Sequence, residues 1–295
     1  MEYDVIVVGG SYAGLSAALQ LVRARRNVLI LDAGQRRNRF AEISHGFIAH
    51  DGQPAAAIAE QARRDVMAYP TVRWISGTAA SVEKKKEGFQ ITLETGATYR
   101  ALRLVLATGV VDHLPDIPGL RERWGKSIFH CPYCHGYELY EQHIGVLATS
   151  ETSMHHGILL PDWGKVTFFI NNAFDPERSQ LQELQSRGAS IERQAIARIS
   201  GEKADVELTD GRVISLCSLF TLPETTFSGT LAEQLGCAIE QGSVGPFIKT
   251  DLSKETSVSG VFACGDAARP SGSVALAVGD GALAGVATHL SMIFD

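Results

Sequence analysis

Apolar residues open the chain in short, uninterrupted runs. Tyr3-Asp4-Val5-Ile6-Val7-Val8 is rich in β-branched side chains and reads as a buried strand. Gly9-Gly10-Ser11-Tyr12-Ala13-Gly14 follows, and Leu15 to Val22 is a stretch of small and apolar residues that predicts a helix. Asn27 stops it, and Val28-Leu29-Ile30-Leu31 predicts a second strand that ends at Asp32. Strand, glycine turn, helix, strand, acid is the order of a dinucleotide-binding unit.

From Val72 to Leu106 the pattern changes to short strands, among them Ile91 to Glu94 and Arg103 to Leu106. The last runs into Ala107-Thr108-Gly109, and Pro115 with Pro118-Gly119 predicts a linker. A second α/β unit starts near Trp124. It has strands at 144–147 and 166–170, a helix over 154–160, and strand-like pieces at 206–208 and 219–222. It is a weaker echo of the first unit. After about residue 240 the chain gives Val261-Phe262-Ala263-Cys264-Gly265-Asp266 and then a small-residue helix expected to be buried. The expectation is one domain from residues 1–114 and 240–295, with 115–239 inserted into it. The fold class is α/β, two three-layer (ββα) domains of nucleotide-binding type.

Composition narrows the function. At 295 residues, 45% hydrophobic and 20% charged, the chain is long enough for about two domains. Glycine, at 29 residues, exceeds the usual share of about 7% and suits tight turns and close backbone approach to a ligand. The net charge of −6 and the lack of a basic face exclude a nucleic-acid binder; Lys84-Lys85-Lys86 between Glu83 and Glu87 reads as a solvated hairpin tip. Glu2 and Asp4 argue against a secretory signal, and Asp280, His289 and several glycines argue against a membrane span in 272–294. A cytoplasmic location is expected. Five cysteines without a signal do not suggest a disulfide framework.

Three motifs carry chemistry. In the opening turn glycine lets the backbone approach a pyrophosphate, and the helix N-terminus presents free N–H groups and partial positive charge. Gly9 and Gly14 hold the first and last glycine positions, Ser11 the middle one, and Asp32 is placed to accept from a ribose hydroxyl. Cys131-Pro132-Tyr133-Cys134 is a C-x-x-C with three readings. A zinc site using His130 and His135 suits a tetrahedron poorly, and the haem pattern C-x-x-C-H goes with export. A redox dithiol is the third, and a flavin-type nucleotide domain favours it. Cys217, Cys237 and Cys264 sit alone on apolar segments and read as buried, inert thiols, while His155-His156 suggests packing or solvent-facing roles rather than a metal site. Gly265-Asp266 after a strand offers a carboxylate to a ribityl hydroxyl, and the helix start near Ser273-Val274 faces negative charge on a flavin ring.

Together these motifs resemble the low-molecular-weight thioredoxin reductases over most of the chain. They resemble more closely still a branch of that family, the FAD-dependent dithiol oxidases of disulfide natural-product pathways of the gliotoxin and holomycin types. Cys131 to Glu138, Arg37-Asn38-Arg39, Ser44 to Phe47, Asp51-Gly52 and Pro270 to Val274 carry that closer likeness. The resemblance implies FAD held by Gly9, Ser11, Tyr12, Ala13, Gly14, Asp32, Ala33, Gly34, Asn38, Ala79, Ala107, Thr108, Gly109, Gly265, Asp266, Ser273 and Val274. It implies a homodimer, Cys134 as the flavin-side sulfur and Cys131 as the sulfur that meets substrate.

Two departures from the reductases shape the expected function. Their second glycine-rich turn, which holds NADPH, is here Ala148-Thr149-Ser150-Glu151-Thr152-Ser153, and the expected arginine cluster is Asn171-Asn172-Ala173-Phe174-Asp175. The NADPH site therefore reads as degenerate. The Asp that follows the second cysteine is here His135, which at a pKa near neutrality would take and return thiol protons. The expected activity is oxidation of a small dithiol through the Cys131/Cys134 disulfide, with oxygen as acceptor. The alternatives are a reductase of a thioredoxin-like protein, fed by NADPH or another donor, and a non-enzymatic FAD redox sensor.

Overall fold

The computed structural model describes residues 2–294. Tyr3–Val8 lies between Val28–Asp32 and Thr98–Leu106, parallel to both, and Val72–Ser76 and Val261–Ala263 extend the parallel set on either side. Alternation along these strands divides the core in two. Val5, Val7, Ile30, Val105 and Phe262 face the helices Tyr12–Arg23 and Val274–Phe294. Ile6, Val8, Leu29, Leu31 and Leu104 face an antiparallel meander whose strands are Ala79–Lys84, Phe89–Leu93 and the start of Thr98–Leu106. Side chains of period two must serve opposite faces, so a fully apolar strand is buried on both.

The second sheet repeats this plan. His143–Leu147 pairs in parallel with Lys165–Phe169 and Ser218–Thr221, and Ser190–Glu192 and Ile128–Phe129 form its edges. Ile144, Val146 and Phe168 pack with Met154 and Leu184 of the helices, and Leu147, Phe169 and Leu219 pack with a second meander through Ile199, Val206 and Leu208. The chain passes between the sheets along Val110–His113 and back along Glu224–Phe227, which pair with each other antiparallel.

Two local expectations need correcting. The C-terminal helix is not buried all round: it packs against the first helix, with Ser16 Oγ donating to the Val278 carbonyl, but Leu283, Val286, Leu290 and Ile293 stay exposed along its other side. By length and composition alone it could cross a membrane, and a third of that stretch is buried here. Cys217 is only half-buried, whereas Cys237 and Cys264 are buried as expected. Burial pushes all three thiols up, Cys264 to about 12, so they are poor nucleophiles.

Candidate active site

The register of the first sheet assembles one half of the site. Val8 lies opposite both Leu31 and Leu106, and Leu106 lies opposite Ala263. Four parallel strands therefore stop at one edge, and the segments that leave them, beginning at residues 9, 33, 107 and 264, meet there. Ligands bind outside the carboxyl ends of such strands. Gly9 turns with φ +107°, and a Cβ on Gly14 would lie 1.8 Å from the Gly9 carbonyl oxygen, so both positions need glycine. Ser11 caps the first helix without a side-chain hydrogen bond, and no acid occupies its first turn. Its leading N–H groups are left for an anion. One oxygen of Asp32 accepts from Gly10 N–H at 3.0 Å. Asn38 Nδ2 donates to the Tyr12 hydroxyl at 3.1 Å, while Asn38 Oδ1 is buried with no hydrogen-bond partner among the described residues. Open N–H groups at a helix start and an orphaned buried acceptor beside them fit a dinucleotide of the FAD type.

Ala33 and Gly34 are exposed just past Asp32, and Gly34 (φ +75°) and Gly109 (φ +68°) have open space where a Cβ would stand. Ala107 is buried beside Gly9, and Thr108 accepts from Ser228 Oγ at 2.5 Å through its carbonyl. Ala79 begins a meander strand opposite Leu93 and packs on the core. Ser273 precedes the C-terminal helix at Val274 and its Oγ accepts from Leu276 N–H. Asp266 is not free, because its Oδ2 accepts from Arg37 Nη1 at 2.8 Å. Sequence reasoning missed this pairing and the second one that Arg37 makes, to Asp112 at 2.6 and 3.0 Å. The only sequence signal was Arg37 itself.

The other half of the site is the disulfide. Cys131 and Cys134 are joined, with Cα atoms 5.3 Å apart, across the helical turn Pro132–His135. Pro132 suits the first position of that turn, which has no N–H to satisfy. Both cysteines are partly exposed, and Tyr133, Tyr137 and Tyr140 around them are 73%, 84% and 74% exposed. Tyr133 stands edge-on to Trp163, with ring centres 5.5 Å apart. Among the described residues no cluster of three or more metal-ligating side chains occurs.

His135 differs from expectation. Its ring stacks on Phe129 at 4.0 Å, and burial, helped by nearby His45, pushes its pKa down to about 4. It is a neutral imidazole at pH 7, not one poised near its pKa. His130, before Cys131, is lowered to about 4 by burial and by Arg37, and His156 to about 3, mainly by burial. His156 is thus a packing residue, 3% exposed.

The turn that ends the strand His143–Leu147 is closed on itself. Thr149 N–H donates to Ser153 Oγ at 3.0 Å, and Thr149 Oγ1 donates to the Leu222 carbonyl at 2.8 Å. Ser150 and Thr152 hydroxyls bond each other at 2.7 Å, and Gln180 holds the Glu151 carboxylate at 2.6 Å. Asn171 and Asn172 both take positive φ, and Asn171 Oδ1 accepts from Ile196 N–H. These asparagines serve the turn.

Comparison with known proteins agrees with this geometry. Residues 3–281 match the family model described as pyridine nucleotide-disulphide oxidoreductase. The chain is 33% identical to the thioredoxin reductase sirT of Leptosphaeria maculans over 96% of its own length and 92% of that protein's. It is 30% identical to the thioredoxin reductase tcpT of Claviceps purpurea over 99% and 95%. Among solved structures, an oxidoreductase from Agrobacterium tumefaciens superposes with a TM-score of 0.96 at 52% identity, covering 100% of this chain and 99% of that one. HlmI superposes at 0.93 with 36% identity, covering 99% and 93%.

Proposed function

The chain belongs to the pyridine nucleotide-disulphide oxidoreductase family and is an oxidoreductase, and on that footing we propose that it oxidises small dithiols through Cys131 and Cys134. The observation that carries this reading is the contrast between a first nucleotide turn bent on glycines that admit no side chain and a second turn without glycine, whose hydroxyls pair with one another and whose Glu151 carboxylate is held by Gln180. A substrate thiolate attacks Cys131 Sγ, the Cys131–Cys134 bond breaks, and Cys134 leaves as thiolate. The second substrate thiol then attacks the mixed disulfide, releasing Cys131 and a cyclic or linear disulfide product. The substrate loses two electrons and two protons, and the cysteine pair gains the electrons. Neutral His135 has a nitrogen lone pair to accept one proton. Its burial makes the imidazolium costly, so it passes that proton on rather than keeping it. The tyrosines at 133, 137 and 140 give the substrate an apolar seat beside the sulfurs. The Gly9–Gly14 turn, Asp32, Asn38 and the 107–109 and 265–266 turns would hold FAD, which would supply a two-electron acceptor for the reduced cysteine pair, with oxygen in our reading as the final acceptor. The exposed apolar side of the C-terminal helix supports a homodimer.

A second reading, reduction of a thioredoxin-like protein with NADPH as donor, is favoured by the names of the relatives. One experiment separates the two. Oxidised holoprotein is mixed anaerobically with excess NADPH, and separately with dithiothreitol, while flavin absorbance is followed. We expect dithiothreitol to bleach the flavin quickly and NADPH to leave it yellow for minutes. Loss of one charge-assisted phosphate contact costs about 1.5–3 kcal/mol, about ten- to a hundred-fold in affinity. Rapid bleaching by micromolar NADPH would return the protein to the reductases.

A further inference from the structure

Among the described residues the chain passes between the two large sheets only along the strands Val110–His113 and Glu224–Phe227, paired as a ribbon with Asp112 opposite Thr225. A two-stranded ribbon alone is a soft joint. Arg37, far from it in sequence, grips it. Its Nε and Nη2 donate to the two oxygens of Asp112 at 3.0 and 2.6 Å, and its Nη1 donates to Asp266 Oδ2 at 2.8 Å. The side chains of Arg37, Asp112 and Asp266 are 23%, 10% and 21% exposed, so the network is weakly screened. A planar fork bonded to both oxygens of a carboxylate fixes orientation as well as position. Burial works against the guanidinium charge, but the hydrogen bond to Asp112 and the charges of Asp266 and Asp112 outweigh it and raise its pKa. Arg37 stays cationic.

The residues that follow make two further contacts with the second half of the molecule. The backbone of Phe40 lies against Gly125, where an added Cβ would sit 2.6 Å from the Phe40 carbonyl carbon. His45 Nε2 lies 3.3 Å from Glu138 Oε1, and Glu138 is three residues past His135. His45 Nδ1 also faces Asp51 Oδ1 at 3.6 Å. Segment 37–45 thus touches the ribbon, the entrance to the second sheet and the exit of the disulfide turn, while Arg37 also holds Asp266 of the cofactor seat.

We propose that segment 37–45 is a strap that holds the disulfide-bearing sheet in one fixed orientation over the cofactor seat, with Arg37 as its positioning residue. This rests on the reading that electrons pass from the Cys131/Cys134 pair to a flavin in that seat. Arg37 touches no reacting atom. It sets the distance and angle at which the sulfurs are presented, and a misplacement of about 1 Å costs on the order of a hundred-fold in rate. The strap gives a reason for two acids, one on the crossing strand and one in the cofactor seat, to share a single cation.

The test uses holoprotein carrying Arg37→Met, Arg37→Lys or Asp112→Asn, with two readouts. Small-angle X-ray scattering reports the arrangement of the two sheets, and anaerobic single-turnover reduction of the flavin by dithiothreitol reports the transfer. Arg37→Met is expected to retain flavin, to scatter as a larger, broader set of arrangements than wild type, and to slow flavin reduction by about ten- to a hundred-fold. Arg37→Lys should recover part of both, because an ammonium reaches one carboxylate but not the pair. Asp112→Asn should fall between Arg37→Met and wild type, and it decides the question alone if Arg37→Met fails to fold. Wild-type scattering together with a rate within about two-fold of wild type would overturn the strap. So would loss of flavin from Arg37→Lys with wild-type scattering, which would make Arg37 only a support of Asp266. A wild-type flavin that dithiothreitol cannot reduce would overturn the dithiol reading instead, and the scattering of the variants would still judge the strap.

Discussion

The two strand-to-helix turns that end Tyr3–Val8 and His143–Leu147 occupy the same place in two copies of one plan, yet one is built on glycine and the other on hydroxyl and carboxylate side chains. The first builds its bend from glycines, with Gly9 at positive φ and Gly14 pressed against the Gly9 carbonyl, so that neither admits a side chain. The second spends Thr149 N–H on Ser153 and its hydroxyls on one another, and ties Glu151 to Gln180. A bend of glycines lets a pyrophosphate approach backbone N–H groups closely, whereas each side chain in the second turn adds bulk, and Glu151 negative charge, at the same approach. The second unit keeps the architecture of a nucleotide domain and also carries the Cys131–Cys134 turn.

The sharpest way to break this contrast is to put a side chain into the first turn. Gly14→Ala places a Cβ 1.8 Å from the Gly9 carbonyl oxygen, so the helix must shift. Overpacking of that kind costs about 1–3 kcal/mol or more. The purified variant should be colourless, read as the ratio of flavin to protein absorbance after gel filtration, and a fully yellow variant would show that the turn does not hold the cofactor. Next in size, Cys131→Ser and Cys134→Ser should each abolish dithiol turnover while retaining flavin, because the two sulfurs act as one unit. Cys131→Ser leaves Cys134 as a lone thiol, and a long-wavelength charge-transfer band in that variant alone would support its place on the flavin side. Substantial turnover in either variant would mean that substrate reaches the flavin directly.

A third effect concerns acid. His130 and His135, at about 4, and His156, at about 3, are held neutral in the folded protein, while in the unfolded chain they titrate near 6.5. As pH falls below about 6.5 the unfolded state takes up protons first. The stability present above that pH is therefore lost progressively towards pH 4, at up to about 1.4 kcal/mol per pH unit per group. Thermal melts should show a clear fall in Tm between pH 7 and 5, and His156→Gln should flatten it; an unchanged Tm would mean that water reaches these rings. The smallest effect is expected at the second turn. Gln180→Ala frees an exposed carboxylate at Glu151 and also removes half of the capping box at Glu177, so it should cost about 0.5–1 kcal/mol of stability, with flavin content unaltered. Loss of flavin there would show that the two turns are coupled.

The central strands were legible because runs such as Val5 to Val8 and Val28 to Leu31 admit one periodicity and end at glycine or an acid. The C-x-x-C was legible for the same local reason, since three residues of separation set the two sulfurs within reach of each other. The glycine turn, Asp32 and Gly265-Asp266 could be placed from strand ends alone, because parallel register brings such ends to one edge. The C-terminal helix was legible as a helix but not in its burial, because small and apolar residues run all round it and only its neighbours decide which side is covered.

The sequence by itself determined what depends on nearest neighbours along the chain: the strands, the glycine turn, the cysteine pair, and the absence of glycine at 148–153. Only the tertiary structure decided what depends on distant neighbours. Arg37 meets Asp112 across 75 positions and Asp266 across 229, and no local pattern encodes such a pairing. The titration of His135 belongs here too: an imidazole's own chemistry places it near neutrality, and the Phe129 ring and the burial around it move it to about 4. Charge and proton affinity are set by what surrounds a group in space, and surroundings are supplied by the fold.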